Sequence, residues 1–363
     1  MVRRQEEWQA AGGRSRAWVA LGWFWVVVAC CLVAGAVVLQ VLGPPPQRTA
    51  VAAPLAAAPE PEARAPEPTA PAPVPPAAQA AGIPAPIAAL QEPSPEVAGA
   101  VLPRIGPDGR MPVQAYAAPF DAADTRPRVA VLLAGIGMAE TDSEGAIRAT
   151  PAAISLAFSP YAVRPGPLLE MARTAGHETL VSIPMEPLGY PLNDAGDHAL
   201  LTGLAPAQNH ERLVWALSRI AGYVGATAAM SGLMGERFAA GEQMPPVLEE
   251  LAARGLLYIE PRPSPAQLAG PLPPQPGLRV ADVVIDDLPG RPEIEARLVQ
   301  LEQLARDRGS ALGLAGRPDP VTVDRLQAWA AALASRGIDL VPVSALVPPP
   351  APPPVSGPPV KPP

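Results

Sequence analysis

The chain has 363 residues, a net charge of −7, 53 prolines and 31 glycines, and only 17% charged residues. That proline content excludes one compact domain filling the chain, because proline removes a backbone donor and does not sit inside helices or central strands. The acidic balance gives no electrostatic footprint for nucleic acid, and the adjacent Cys30 and Cys31 offer neither a disulfide framework nor a zinc knuckle.

Residues 1–16 carry Arg3, Arg4, Arg14 and Arg16 and are expected to be cytoplasmic. Residues 17–42 hold no charge over 26 positions, where about 20 span a bilayer. They predict a single transmembrane helix, with the arginine bias setting the N-terminus inside and the rest of the chain outside, in a periplasm. Trp18, Trp23 and Trp25 stand toward its start, as interfacial aromatic anchors do. A cleaved signal peptide is the other reading, with small residues at 50–53 as its site, but such an apolar core runs only about 7–15 residues.

Residues 43–127 are expected to form a disordered Pro/Ala-rich linker, since 17 prolines fall between 44 and 103. Residues 348–363, with 10 prolines in 16, are expected to be a disordered tail. Between them, residues 128–347 have globular texture and are long enough for one sizeable core.

That segment repeats one grammar: an amphipathic helix, an arginine near its end, a glycine, then a short apolar strand. Gly176, Gly255, Gly309 and Gly337 sit at those helix ends, ahead of strands expected at 179–183, 256–259, 311–314 and 338–343. Glycine takes the left-handed conformation that ends a helix, and arginine favours the helix's negative pole. Further apolar runs at 129–133, 153–158 and 281–285 bring the expected strands to seven. They are continuous rather than alternating, which suits strands buried on both faces. The serial βα order predicts an α/β fold, an irregular TIM-like (β/α) barrel, with its site at the C-terminal strand ends.

The first strand end reads Ala134-Gly135-Ile136-Gly137, a fragment of a phosphate loop without the full glycine pattern. The third carries Pro184-Met185-Glu186-Pro187, a rigid turn able to hold Glu186 at the mouth; the plain alternative is a solvated carboxylate. The next strand ends carry Glu260 with Arg262, and Asp286 with Asp287. Adjacent carboxylates there bind a metal or act as acid and base, or else form the acidic first turn of the following helix. Of the three histidines, His177 belongs to the opposite face, His210 to an exposed helix start, and His198 to the mouth side. Neither a paired-histidine zinc motif nor a Gly-x-Ser-x-Gly elbow is present.

Several collinear motifs resemble the divergent polysaccharide deacetylases of bacterial envelopes. They are Ile183-Pro184-Met185-Glu186-Pro187 with Tyr190-Pro191, His198-Ala199-Leu200-Leu201-Thr202, Gly222-Tyr223-Val224-Gly225, Met234-Gly235-Glu236-Arg237-Phe238, Ala281-Asp282-Val283-Val284-Ile285-Asp286, Gly309-Ser310-Ala311, and Val341-Pro342-Val343-Ser344-Ala345-Leu346. The resemblance implies an irregular barrel related to metal-dependent carbohydrate deacetylases. It implies binding roles for Met185, Glu186, Tyr190, His198, Arg237 and Arg262. It leaves Glu186, Glu260 and Asp286 as candidate ligands of a divalent metal, the one cofactor considered, and Asp286 and Asp287 as candidate catalytic groups. Where the family carries Asp-Asp-Leu-Gly, this chain has Ala134-Gly135-Ile136-Gly137. Family histidines and their neighbours are replaced by Ser182, Gly232-Leu233 and Ala315-Gly316, and an acid-Ser-Arg by Glu260-Pro261-Arg262.

Two functions follow as expectations. One is a membrane-anchored periplasmic barrel with reduced or no deacetylase activity that binds an envelope glycan or an envelope protein. The other is an active metal-dependent deacetylase, removing C–N or ester acetyl groups through a rearranged carboxylate site. A barrel that only carries proline-rich tails to a partner is a third.

Overall fold

The computed structural model describes Trp25, which lies in a helix, and residues 82–262 and 276–350. The rest of the expected membrane span, the linker up to residue 81 and the tail from residue 351 lie outside the described residues. Among those described, no helix is long and apolar enough to cross a membrane. The chain divides into two units, Met1–Pro73 and Val74–Pro363, and the second holds the fold.

This unit begins with a short cap. A 3₁₀ turn at Ala88–Leu90 leads into an antiparallel pair, β1 (Gln91–Pro93) and β2 (Val101–Pro103), and a one-turn helix α1 (Pro112–Ala115). The βα series follows: β3 (Arg128–Ile136), α2 (Glu140–Ala149), β4 (Ser155–Phe158), α3 (Pro165–Ala175), β5 (Thr179–Ser182), α4 (Pro206–Leu217) and β6 (Gly225–Thr227). Two helices, α5 (Glu236–Ala239) and α6 (Met244–Ala253), precede β7 (Leu257–Glu260), β8 (Leu278–Val280) and β9 (Val283–Val284). The chain closes with α7 (Arg291–Arg308), β10 (Ser310–Ala315), α8 (Pro320–Leu333) and β11 (Asp339–Leu340).

The helix ends follow the sequence punctuation. Gly176 ends α3 at φ 86° and Gly309 ends α7 at φ 82°, with Arg306 and Arg308 in its last turn. Pro165, Pro206 and Pro320 sit in first turns, where a missing N–H costs nothing, and Asp319 caps α8 by accepting the Val321 N–H.

All pairings in the main sheet are parallel, in the order β8-β7-β6-β5-β4-β3-β10-β9. Its two edges belong to one chain segment. The Ala281 N–H donates to the Glu260 carbonyl beside β8, and the Asp282 N–H donates to the Leu312 carbonyl beside β9. Residues 278–284 therefore pair with β7 by their first half and with β10 by their second. The sheet curls into a barrel with no long open edge. β11 pairs only with the first residues of β3, Asp339 opposite Arg128, below the point where β4 joins at Leu132.

Side chains alternate along each strand, as the period of two requires. Val129, Val131 and Leu133 pack outward with the helices, while Ala130, Leu132 and Ala134 belong to a second cluster with Leu180, Leu257, Ile259, Leu312 and Leu314. That interior cluster also contains Ile83, Leu90, Met111, Val113 and Tyr116. The expected linker is thus corrected from residue 82 onward: residues 82–127 are folded and close the barrel bottom. The Tyr116 hydroxyl accepts the Ile87 N–H, and the Ile83 N–H donates to the Arg173 carbonyl at the end of α3. Proline density marks extended chain, but extended chain with apolar residues in register still packs.

The sheet also has strands the sequence reading lacked. β6 is Gly225-Ala226-Thr227, where Gly225 has no room for a side chain: a Cβ would lie 2.3 Å from the Leu257 carbonyl oxygen. β8 is a half-buried trio, a three-residue run too short to register as a period.

Candidate functional site at the barrel mouth

The C-terminal ends of β3, β5, β7, β9 and β10 meet at one end of the barrel, with the loop after β6. That loop makes a two-residue hairpin turn. Met230 and Leu233 exchange backbone hydrogen bonds at 2.9 Å, and Ser231 and Gly232 both have positive φ, 51° and 89°. The turn lies against the ends of β3 and β10. A Cβ at Gly135 would stand 3.3 Å from the Gly316 carbonyl oxygen and 3.4 Å from Ser231 Oγ. One at Gly316 would stand 3.3 Å from the Gly232 Cα. Three positions that are glycine here thus touch, and the turn's backbone fills the space a longer side chain would need.

The carboxylates around this plug each have their own donors. Asp286 accepts the Gly316 N–H at 2.7 Å and the Arg317 N–H at 3.1 Å; burial pushes its pKa up against those bonds. Glu260 accepts from Arg262 Nε at 3.1 Å, and burial raises its pKa despite that cation. Glu186 is almost wholly buried. It accepts the Thr202 N–H at 2.6 Å, the Thr202 hydroxyl at 2.7 Å and Arg237 Nε at 3.0 Å, and its carbonyl accepts the Arg237 and Phe238 N–H groups. It ties its own loop to the turn at Thr202 and to α5.

The expected metal ligands Glu186, Glu260 and Asp286 are therefore not brought together, and among the described residues no group of three His, Cys, Asp or Glu can hold a metal ion. The residues present do not fit the metal that the resemblance implies. Of the expected catalytic pair, Asp287 pairs with Arg297 of α7 at 2.7 Å from ahead of that helix, whose first turn carries Glu293 as its acid.

The expected binding residues scatter by environment. Met185 is core, since its Cβ fills the space beside Gly235, where a Cβ would meet it at 2.5 Å. Arg237 and Arg262 are partly exposed arms held by buried carboxylates. Tyr190 is half-buried beside the exposed Leu188 and Leu192. His198 lies on the flank, its ring stacked on Trp215 at 3.8 Å and 7°. His177 is buried on the bottom side between the Ile154 and Ile147 carbonyls, and His210 lies 3.7 Å from Glu96.

Sequence reasoning missed two features. Met138, Val163, Leu188, Leu192 and Leu288, five exposed large apolar side chains, all lie on loops after β3, β4, β5 and β9 and so rim the mouth. At the bottom, Glu178 is fully buried, accepting from Ala118 N–H, Ser155 Oγ, Ser344 N–H and Ser344 Oγ, with burial raising its pKa. A carboxylate directly before an apolar strand was its only signal.

A curled parallel sheet wrapped by helices, with its polar residues gathered at the C-terminal strand ends, defines an α/β barrel protein. Residues 131–347 match the family described as divergent polysaccharide deacetylase, and the chain belongs to that family. A crystal structure of an uncharacterized protein from Agrobacterium tumefaciens C58 is similar at 32% identity and a TM-score of 0.62, covering 68% of this chain and all of that one. An uncharacterized protein of Haemophilus influenzae is 26% identical over 205 residues, 55% of this chain and 70% of its own length. A family 4 carbohydrate esterase from Streptomyces lividans, solved with acetate, shares 14% identity at a TM-score of 0.40, covering 64% of this chain and all of that one.

Proposed function

We propose that this chain is a non-catalytic member of its family: a membrane-tethered barrel that binds envelope glycan or an envelope protein. The observation that carries the reading is the packed glycine mouth, where Gly135, Gly316 and the Ser231-Gly232 turn leave no cradle for a metal and its water. The apolar rim supports a binding role, since exposed apolar patches on a folded surface mark contact sites. The tether rests on the uncharged stretch 17–42 and the arginines before it, which favour an inner-membrane, single-pass chain with its barrel in the periplasm.

The test is to purify the full chain in detergent, quantify bound metal, and assay acetate release from acetylated envelope glycans. Substoichiometric metal and no acetate are expected. Stoichiometric metal with turnover abolished by Asp286→Ala would establish the rearranged deacetylase instead. A reporter fused after residue 350 and active only outside the cytoplasm checks the topology.

A further inference from the structure

A groove on the barrel flank borders the plugged mouth, since Ala195 and Ala199 of its loop pack with Met230 and Leu233 of the mouth turn. Its walls are α4, the loop at 194–200 and the turn at 96–97, and both rings of the His198–Trp215 stack line it. The loop is held firmly. The His198 N–H donates to the Tyr161 hydroxyl at 3.1 Å, and the Tyr161 ring tilts against Trp215 at 5.3 Å. Gly196, at φ 96°, lets the chain pass that hydroxyl: a Cβ there would stand 2.6 Å from it. Arg212 donates to the Ala199 carbonyl, and the buried Asn209 exchanges hydrogen bonds with Leu201. The groove is thus set before any ligand arrives.

Its polar lining is lopsided in charge. Glu96, Asp197 and Glu211 line it with Arg212; Glu96 lies 3.7 Å from His210, and Arg219 holds its guanidinium 5.4 Å over the Trp215 ring. Asp197 and Glu211 have no hydrogen-bond or ion-pair partner among the described residues. Gln208 adds an amide. Burial, with Arg212 beside it, pushes the His198 pKa down, so its ring adds no cation at neutral pH. With His198 against one Trp215 face and the Arg219 guanidinium over the same ring at 5.4 Å, the half-buried His198 ring rather than a bare Trp215 face meets the apolar side of a sugar; carboxylates and an amide take its hydroxyls, and the two unpaired carboxylates favour a cationic substituent.

We propose that this groove is a subsite for an amine-bearing sugar, a de-N-acetylated hexosamine within a glycan. The proposal deepens the glycan-binding reading and rests on it for the class of polymer. It makes the protein a reader of deacetylated glycan rather than its producer.

The test is calorimetric titration of the full chain in detergent with glucosamine oligomers and N-acetylglucosamine oligomers of equal length. The glucosamine oligomers are expected to bind about tenfold or more tightly, a difference of about 1.4 kcal/mol. The double variant Asp197→Asn with Glu211→Gln, confined to exposed side chains, is expected to erase that preference. Trp215→Ala is expected to weaken both oligomers. Equal affinity for the two oligomers, or a preference unchanged in the double variant, overturns the proposal. So does competition by spermidine at the same affinity, which would make the groove an amine site with no sugar contact. Acetate release in the metal assay would sink the non-catalytic reading while leaving this titration interpretable, since it measures no turnover.

Discussion

Glu178 carries electrostatic tension at the bottom of the barrel. It is completely buried, faces four donors and has no cation beside it, and burial raises its pKa from 4.5. For an acid, a raised native pKa means the unfolded chain gives up the proton first. The stability it contributes is full below 4.5 and is lost as pH climbs through the raised native value. Glu178→Gln cannot ionise, so its unfolding free energy is expected to lose that downward slope, as urea denaturation over a pH series will read. An unchanged slope would place the tension elsewhere.

Gly135 makes the complementary case at the mouth. Its φ of 78° and its neighbours at 3.3 Å leave no strain-free place for a side chain. Gly135→Asp is expected to lower stability by about 1–3 kcal/mol without creating a metal site. A stable variant that binds metal stoichiometrically would contradict the packed-mouth account. The sequence showed that acids and histidines were missing here. It did not show that a turn from β6 had moved into the space, because that contact joins residues about 100 apart.

Among the elements, the helix–glycine–strand units were legible because their punctuation is local. Gly176 and Gly309 end helices where the sequence puts them, and arginines fill the last turn of α7. The bottom cap was not legible. Its identity lies in Ile83, Leu90, Met111, Val113 and Tyr116 entering the interior cluster, a tertiary fact that a proline count hides. Burying each such side chain is worth about 1.5–3 kcal/mol, against a total stability of about 5–15 kcal/mol for a typical domain. A chain that begins at Arg128 is therefore expected to be insoluble or molten, while one that begins at Gly82 melts cooperatively. Circular dichroism melts of the two will decide. A cooperative transition from the shorter chain would reduce the cap to an accessory.

For the molecule as a whole, closure depends on one seam, residues 278–284 pairing β7 on one side and β10 on the other. Asp282 sits in that seam almost wholly buried. It accepts the Leu312 N–H at 2.8 Å, and Arg279 and Arg308 flank it at 2.6 and 3.4 Å. Asp282→Ala leaves a buried amide and two cations without their acceptor. It is expected to cost about 3 kcal/mol, seen as a lowered denaturant midpoint with fast amide exchange concentrated in β9 and β10. Uniform exchange would show that the seam opens only with global unfolding. The fold class was legible from serial βα order, but the seam was not, since β8 and β9 are three and two residues long.

Both ends of the described stretch of this unit lie at the bottom: Ile83 bonds to Arg173 at the end of α3, and Pro348 accepts the Gly277 N–H just before β8. In mechanical terms the barrel is loaded from one pole. Tension arriving along the chain from either side meets the bottom cap first, at the Ile83–Arg173 bond and the Glu178 clamp that joins Ala118, Ser155 and Ser344. The opposite pole, with its apolar rim, lies off the line of force. A load on either end is therefore expected to strain the cap before the rim.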